Sequence, residues 1–278
     1  MRELIGGLLR RCATGLPKDV QSALETAYRR ERGTGKDIIE TLLENIKAAR
    51  RLSRPMCQDT GTPIFYVTSP KAYDRENIRM EILAAVRDAT RTVPLRPNAV
   101  DPVTGANSGD NTGIGFPVIH FGEWGRKKVR IELMLKGGGS ENMTQLYRLP
   151  DAPLKAGRDM DGVARCVLDA VHKAQGRGCP PYVVGVGIGG LADETLTLSK
   201  RQLMRTLSDR NPDQRLAGLE KKLLDDINSL GIGPMGLGGK TTALAVKAGK
   251  MHRAPASYFV AVSFMCWACR RGRIEVSL

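Results

Sequence analysis

Three cysteines lie at breaks in the hydrophobic pattern of this 278-residue chain, where loops commonly present side chains to a site. Cys57 opens the stretch QDTGTP, Cys179 follows a glycine-rich turn and precedes two prolines, and Cys266 ends the apolar stretch SYFVAVSFM. Thiolates at such positions are typical ligands of zinc or of an iron–sulfur cluster. Cys269 completes a C-x-x-C pair with Cys266, so a four-thiolate zinc site is a competing interpretation. Spacing alone leaves cluster, zinc and coincidence open.

The remaining cysteines carry less information. Cys12 and Cys166 lie in helix-like patterns, where a buried, inert thiol is the simplest interpretation. The basic, apolar start MRELIGGLLRR contains an acidic residue and no cleavage pattern, so we interpret it as structure rather than as a targeting signal. We therefore expect a cytoplasmic protein without disulfides.

Polar residues near the cysteines favour a site that binds a carboxylate. Gln58 and Asp59 directly follow Cys57, and Arg96 precedes a long loop that carries Asp110, Asn111 and Thr112. Lys136 precedes three glycines at 137–139. Arginine offers a bidentate fork to a carboxylate, and glycine-rich turns offer backbone N–H donors. A structural zinc site needs no such surroundings.

Two glycine-rich stretches partly match nucleotide-binding motifs. In GIGPMGLGGKTTAL, Lys240 and Thr241 fit a P-loop, but Pro234 stands where the first glycine belongs and the preceding residues have helical spacing. GVGIGG matches the dinucleotide fingerprint only in its glycines, because Gly185 lies inside an apolar run. We interpret these glycines as positions where two backbones approach closely.

The chain is strongly basic, with 43 Lys and Arg against 29 Asp and Glu and a net charge of +14. The basic residues are scattered, aromatic residues make up 5% and no nucleic-acid-binding module is recognisable, so we expect no nucleic-acid function. A basic surface that gathers anionic substrates fits better. No apolar run is long enough for a membrane span, so we expect no membrane association.

Hydrophobic periodicity predicts a mixed α/β fold: a helical N-terminal part and a central sheet flanked by helices. We expect a single domain over 1–278, with a helical region at 1–52 and an α/β core at 53–278. Predicted helices after the N-terminal region cover about 74–93, 158–176, 193–207 and 214–229. Predicted strands are TPIFYVTS, KVRIELMLK, the apolar part of CPPYVVGVGIGG, and about 241–247 and 257–264.

Six motifs, in this order, resemble the class I iron–sulfur hydro-lyases, which comprise class I fumarases and L-tartrate dehydratases. They are MCQDTGTP, PLRPNAV, KGGGSENM, CPPYVVGVGIGG, GIGPMGLGGKTTAL and CWACRR. The resemblance runs from about residue 15 to 272. It implies that GIGPMGLGGKTTAL shapes the site of a dehydratase domain and is not a P-loop.

The resemblance implies a [4Fe–4S] cluster held by three thiolates, with one iron not ligated by protein. Matched by motif, the ligands are Cys57, Cys179 and Cys266, whereas Cys269 is not expected to be one. An iron with an open position acts as a Lewis acid, by the same logic that keeps catalytic zinc sites open.

The resemblance also assigns the substrate contacts. Gln58 and Arg96 are expected to contact the substrate carboxylates, as are backbone amides around Gly137 and Gly138, up to Gly139. Asp59 is expected to act in proton transfer, with a turn or capping role as the alternative for it and for Gln58. His252 falls near a histidine of the family's site, but its spacing differs by two residues, so a packed or surface histidine is equally open.

Single-chain members of the family continue into a second domain, for which this sequence has no counterpart. The resemblance therefore implies an α-type subunit that works only with a separate β subunit, as α2β2, on a small dicarboxylate. LRPN, KGGGSEN and CWACRR favour reversible interconversion of (S)-malate with fumarate and water; dehydration of L-tartrate to oxaloacetate is the alternative. A non-catalytic cluster- or zinc-binding protein with nucleic-acid affinity is the third hypothesis.

Overall fold

The structure, a computed structural model, describes residues 1–277 and groups them into two compact units. The first unit contains Met1–Pro17, Glu44–Gly138 and the described residues from Ala268 onward. The second contains Lys18–Leu43 and Gly139–Trp267.

The helices are α1 Arg2–Thr14, α2 Lys18–Arg30, α3 Gly33–Leu52, α4 Arg75–Thr92, α5 Gly138–Glu141, α6 Met160–Ala174, α7 Ala192–Gln202 and α8 Gln214–Ser229. The strands are β1 Thr62–Ser69, β2 Val118–Glu123, β3 Lys128–Lys136, β4 Gln145–Arg148, β5 Tyr182–Ile188, β6 Ala243–Lys250, β7 Phe259–Met265 and β8 Arg271–Ser277. This confirms the predicted mixed α/β fold with a helical N-terminal part. Among the described residues, no helix has both the length and the apolar character to cross a bilayer.

The sheet of the first unit has the strand order β2-β1-β3-β8. Strand β1 is parallel to β2 and antiparallel to β3, which in turn is antiparallel to β8. Alternate residues of β1 and β3, such as Phe65, Val67, Ile131 and Leu133, form a buried core with apolar residues of α1 and α4. Burial of each such side chain contributes about 1.5–3 kcal/mol to the driving force for folding.

The sheet of the second unit has the strand order β4-β7-β5-β6, in which β5 is buried along its whole length. This confirms the buried strand predicted after Cys179. Helix α7 packs closely on β5, because a Cβ on Gly185 would stand 2.2 Å from the carbonyl oxygen of Ser199, and one on Gly187 2.3 Å from that of Thr195. The glycines of GVGIGG thus serve close backbone approach, as predicted.

Hydrophobic periodicity did not predict three of the strands, namely β2, β4 and β8. Strand β4 has four residues, and β2 and β8 lie at the edges of their sheet with largely accessible side chains, so none forms a continuous apolar run. Two predicted bounds also shifted: α7 ends at Gln202, and β6 runs over Ala243–Lys250.

Candidate active site

The segment that carries Cys57 lies between α3 and β1 in the first unit, and backbone contacts fix it there. The amide of Met56 donates to the carbonyl of Ala13 at 3.1 Å, at the end of α1. The Met56 carbonyl accepts from the side-chain amide of Asn45 on α3 at 2.8 Å. The residue before Cys57 is therefore held on both sides, while the Cys57 thiol stays partly accessible.

An open cleft of about 320 Å³ begins at Cys57 and is lined by Pro55, Cys57, Gln58, Thr60, Pro94 and Arg96. A thiol, an amide and a guanidinium thus meet at one small cleft, although Arg96 lies far along the chain from the other two. The side chains of Gln58 and Arg96 are exposed. This cleft brings together three of the predicted site residues.

Arg96 is held in place through its backbone. Its amide donates to the Thr60 hydroxyl at 3.0 Å, and its carbonyl accepts from the side chain of Asn111 at 3.1 Å. Asn111 is 1% exposed, and its side chain also contacts the backbone amide of Asn98 at 2.7 Å and the hydroxyl of Thr90 at 3.0 Å. The long loop therefore folds back through Asn111 to position Arg96.

The Asp59 carboxylate is anchored by two backbone amides. One oxygen accepts from Gly61 at 3.0 Å, and the other accepts from Gly138 at 2.7 Å. A Cβ on Gly137 would stand only 3.1 Å from that second oxygen. Asp59 thus lies against the glycine loop that was predicted to contact substrate, and the Gly138 amide already has an acceptor. The contact with Gly61 is the turn role that the sequence left as an alternative.

Arg270 is a residue of this region that sequence reasoning missed. Its side chain is 1% exposed, and Nη1 donates to the backbone carbonyl of Asp59 at 2.6 Å. The pair of arginines that ends the CWACRR motif was the only signal for it. Arg270 thus holds the backbone of the predicted proton-transfer residue Asp59.

In the second unit, the backbone ties Cys179 to the segment of Cys266. The carbonyl of Cys179 accepts from the amide of Trp267 at 3.0 Å, and the Cys179 amide donates to the carbonyl of Gly176 at 3.0 Å. Cys179 has a φ of 59°, which a non-glycine residue adopts rarely and at a cost. The tight turn places the Cys179 thiol at the surface, beside the end of β7.

The Tyr182 side chain stabilises the turn that precedes Cys179. Its hydroxyl donates to the carbonyl of Gln175 at 2.7 Å and accepts from the amide of Gly178 at 3.1 Å. The pKa of Tyr182 is raised to about 12, mainly by burial, and the charges of Cys179 and Cys266 as thiolates contribute to this rise. Both thiols therefore lie near one phenol.

The glycine-rich stretch 231–242 packs against the same turn. The amide of Met235 donates to the carbonyl of Pro180 at 2.8 Å, and a Cβ on Gly236 would stand 2.5 Å from the Cα of Gly176. The contact requires glycine at 236, where φ is also positive. This stretch shapes the Cys179 turn, as the resemblance implied.

The anion held by this glycine-rich stretch is a carboxylate of the chain itself. The amide of Lys240 donates to both side-chain oxygens of Glu31, at 2.9 and 3.0 Å, and Glu31 is 1% exposed. Helix α8 precedes the stretch, whereas a P-loop would follow a strand. The backbone amide of Lys240, which in a P-loop would face a phosphate, thus binds the Glu31 carboxylate.

Accessibility divides the six cysteines into two sets. The accessible or partly accessible thiols are Cys57, Cys179 and Cys266, and the buried ones are Cys12, Cys166 and Cys269. Burial raises the pKa of both Cys12 and Cys166 to about 12, so these two remain thiols at neutral pH. A cluster ligand must be a thiolate. The three accessible cysteines therefore fit an iron–sulfur cluster, whereas Cys12 and Cys166 do not.

Within residues 1–277, no group of three or more His, Cys, Asp or Glu side chains forms the ligand set of a single metal ion. The cysteines of a cluster bind different irons and need not converge on one point. His252 lies exposed in the segment between β6 and β7, and its role stays a prediction.

Known proteins resemble this chain over nearly its whole length. The sequence profile of the fumarate hydratase (Fumerase) family matches residues 2–275. A protein of Geobacillus stearothermophilus assigned as a fumarate hydratase class I is 46% identical over 269 residues, which is 95% of this chain and 52% of that protein. This chain thus spans about half the length of that relative.

Two further relatives match at nearly full length. A Methanocaldococcus jannaschii protein assigned as an L(+)-tartrate dehydratase subunit alpha is 41% identical over 282 residues, covering 99% of this chain and 97% of the relative. The L(+)-tartrate dehydratase subunit alpha of Escherichia coli K12 is 33% identical over 284 residues, covering 99% and 90%. By the match over residues 2–275 and by these relatives, the chain belongs to the fumarate hydratase (Fumerase) family.

Proposed function

We propose that this chain is the α subunit of a hydro-lyase that interconverts (S)-malate with fumarate and water. The observation that carries the proposal is the cleft shared by Cys57, Gln58 and Arg96. It combines a candidate cluster thiolate with two side chains that bind carboxylates. A hydro-lyase acting on a small diacid needs this combination, because the leaving hydroxyl needs an electrophile and the carboxylates need fixed donors.

The proposed cofactor is a [4Fe–4S] cluster on Cys57, Cys179 and Cys266, with one iron not ligated by protein. The accessibility of these three thiols, against the burial of the other three, supports the choice. When bound, such a cluster supplies a Lewis-acidic iron that makes a hydroxyl a better leaving group. Cys269, which is buried, is proposed not to be a ligand.

The substrate is proposed to be held by its carboxylates. Arg96 offers a planar fork of N–H donors that matches a carboxylate, and its backbone is already fixed by Thr60 and Asn111. The Gln58 side-chain amide, which also lines the cleft, adds a further donor. Both side chains are exposed, so the substrate can reach them without rearrangement of the backbone.

Asp59 is the proposed proton-transfer residue. Two backbone amides hold its carboxylate, which leaves lone pairs on both oxygens to accept a proton. The carbon acid of a dicarboxylate is weak, so the negative charge that develops must be met by fixed donors such as the glycine loop. Because the Gly138 amide already donates to Asp59, we assign Gly138 first to orienting Asp59. The backbone around Gly137 and Gly138 remains the proposed substrate contact of the glycine loop.

A separate β subunit is the proposed partner, in an α2β2 assembly. The names of the two tartrate dehydratase relatives describe α subunits, and this chain matches nearly their full length. It spans 52% of the fumarate hydratase relative. We propose that the β subunit completes the site.

L(+)-tartrate is the alternative substrate. The higher identity, 46%, is to the fumarate hydratase relative, whereas the nearly full-length matches are to α subunits of tartrate dehydratase. The two substrates share a dicarboxylate and a hydroxyl on the carbon next to a carboxylate, so the same cleft residues serve both.

The test is anaerobic co-expression with a candidate β-subunit gene, followed by assays with malate, fumarate and L(+)-tartrate. We expect turnover of malate and fumarate. Turnover of tartrate alone would assign the chain to the alternative. An inactive complex that binds oligonucleotides in a salt-dependent way would instead support a non-catalytic protein.

A further inference from the structure

Arg270 joins three segments of the candidate site. Its backbone carbonyl accepts from the amide of Leu135 at 3.0 Å, near the end of β3, and its Nη1 donates to the Asp59 carbonyl at 2.6 Å. Its Nη2 lies 3.5 Å from the point where a Cβ of Gly137 would stand. One side chain therefore touches the Asp59 turn and the glycine loop together.

The charge of Arg270 is poorly compensated. Its Nη1 acceptor is a neutral carbonyl, and its buried Nε has no hydrogen-bond partner among the described residues. The Asp59 carboxylate is close by, since its Oδ2 lies 3.1 Å from the same Cβ position of Gly137, but within residues 1–277 Arg270 forms no ion pair. Burying a cation in this way is costly unless an anion nearby offsets it.

We propose that Arg270 is a positioning and specificity residue of the site, which fixes the Asp59 turn and supplies a standing positive charge that favours a dianionic substrate. The inference rests on the proposed function. Fixing the turn determines where the Asp59 carboxylate lies, and so affects the rate of proton transfer. Because Arg270 is buried, water screens its charge weakly, and the charge therefore favours binding of an anionic substrate.

The two effects separate when Arg270→Lys is compared with Arg270→Met. Lysine keeps the charge but lacks the planar fork, so kcat falls while KM stays within about threefold of the wild-type value. Methionine removes both, so kcat falls and KM for the dicarboxylate also rises by roughly 10- to 100-fold. Arg273→Met, an exposed arginine on β8, is the matched control and leaves both constants unchanged.

A second measurement does not depend on activity. Hydrogen exchange of the full chain reports on the amides of Gly61 and Gly138, which donate to Asp59. Both variants of Arg270 are expected to speed exchange at these two amides and to leave buried strand β5 unchanged. A purely structural role would instead speed exchange generally and give both variants the same KM.

The outcomes of these experiments test the role of Arg270 separately from the proposed hydro-lyase function. Equal KM values for the lysine and methionine variants, or unchanged exchange at Gly61 and Gly138, would overturn the inference. Absence of hydro-lyase turnover in the wild-type complex would overturn the proposed function instead, and the exchange measurement would still decide whether Arg270 holds the Asp59 turn.

Discussion

The side-chain oxygen Oδ2 of Asp59 accepts a hydrogen bond from the amide of Gly138 at 2.7 Å, across 79 positions of the chain. The other oxygen accepts from Gly61, two residues on. A carboxylate held by two backbone donors cannot rotate freely, so its remaining lone pairs face a fixed direction. The contact connects the predicted proton-transfer residue with the predicted substrate loop.

Replacing this carboxylate tests its proposed role in proton transfer. We expect Asp59→Asn to lower kcat by roughly 10²- to 10⁴-fold, the usual contribution of a general acid or base. Anaerobic steady-state kinetics of the complex with the partner subunit, alongside its visible absorption, measures both turnover and cluster content. The cluster content should stay unchanged.

Asp101 provides a matched control for that variant. Its carboxylate also accepts two backbone amides, from Val103 and Thr104, and these hydrogen bonds hold the pKa of Asp101 below its usual range. Asp101→Asn should leave kcat unchanged. Equal losses in the two variants would show that Asp59 acts only as a turn residue.

The Asn111 side chain is expected to stabilise the fold and to position Arg96. Asn111→Ala removes its contacts with Asn98, Thr90 and the Arg96 carbonyl, and should lower the free energy of unfolding by about 2–3 kcal/mol. Urea denaturation measures the loss. Asn107→Ala, at an exposed residue of the same loop, should cost under about 1 kcal/mol. Similar losses for both variants would contradict the proposal that the Asn111 side chain holds the backbone of Arg96 in place.

Thiol reactivity should divide the cysteines of the cluster-free chain. The thiolate is the reactive form, and burial raises the pKa of Cys12 and Cys166 to about 12. Raising the pH through 8 therefore leaves both protonated, whereas the exposed Cys179 should be alkylated first. Iodoacetamide labelling at pH 8, followed by peptide mass spectrometry, checks this. Comparable native labelling of Cys12 or Cys166 would count against the assignment of the buried set.

The partner requirement gives a simple test. The purified chain, loaded with iron and sulfide but without the β subunit, should not hydrate fumarate at a measurable rate. Adding the separately purified small subunit should restore turnover in proportion to its amount up to a one-to-one ratio. Turnover by the chain alone would refute the proposal that the site needs a second subunit.

Periodicity predicted the elements whose apolar faces are buried. The buried strand after Cys179 and the helix before Gly231 are examples, because an apolar run and a helical spacing each mark one structure. Edge strands β2 and β8 expose much of their surface, so their sequences lack that mark. Their pairing depends on neighbours that are distant in the chain.

The same distinction applies to the site. The residue types and the family motifs predicted Cys57, Gln58 and Arg96, and the structure places them at one cleft. Arg270 and the clamp formed by Asn111 could not be predicted in the same way. Arg270 lies in the CWACRR motif and Asn111 in the long loop, but their roles consist of hydrogen bonds to backbone groups of remote segments, which the residue types alone do not reveal.

The most direct test of the account is the cluster content of the full chain after anaerobic reconstitution, with each cysteine replaced by alanine in turn. Iron and acid-labile sulfide analysis, together with electron paramagnetic resonance, quantifies the cluster. We predict that it is lost in Cys57→Ala, Cys179→Ala and Cys266→Ala and retained in Cys12→Ala, Cys166→Ala and Cys269→Ala. A wild-type chain without a cluster, or a full complement in any of the first three variants, would contradict it.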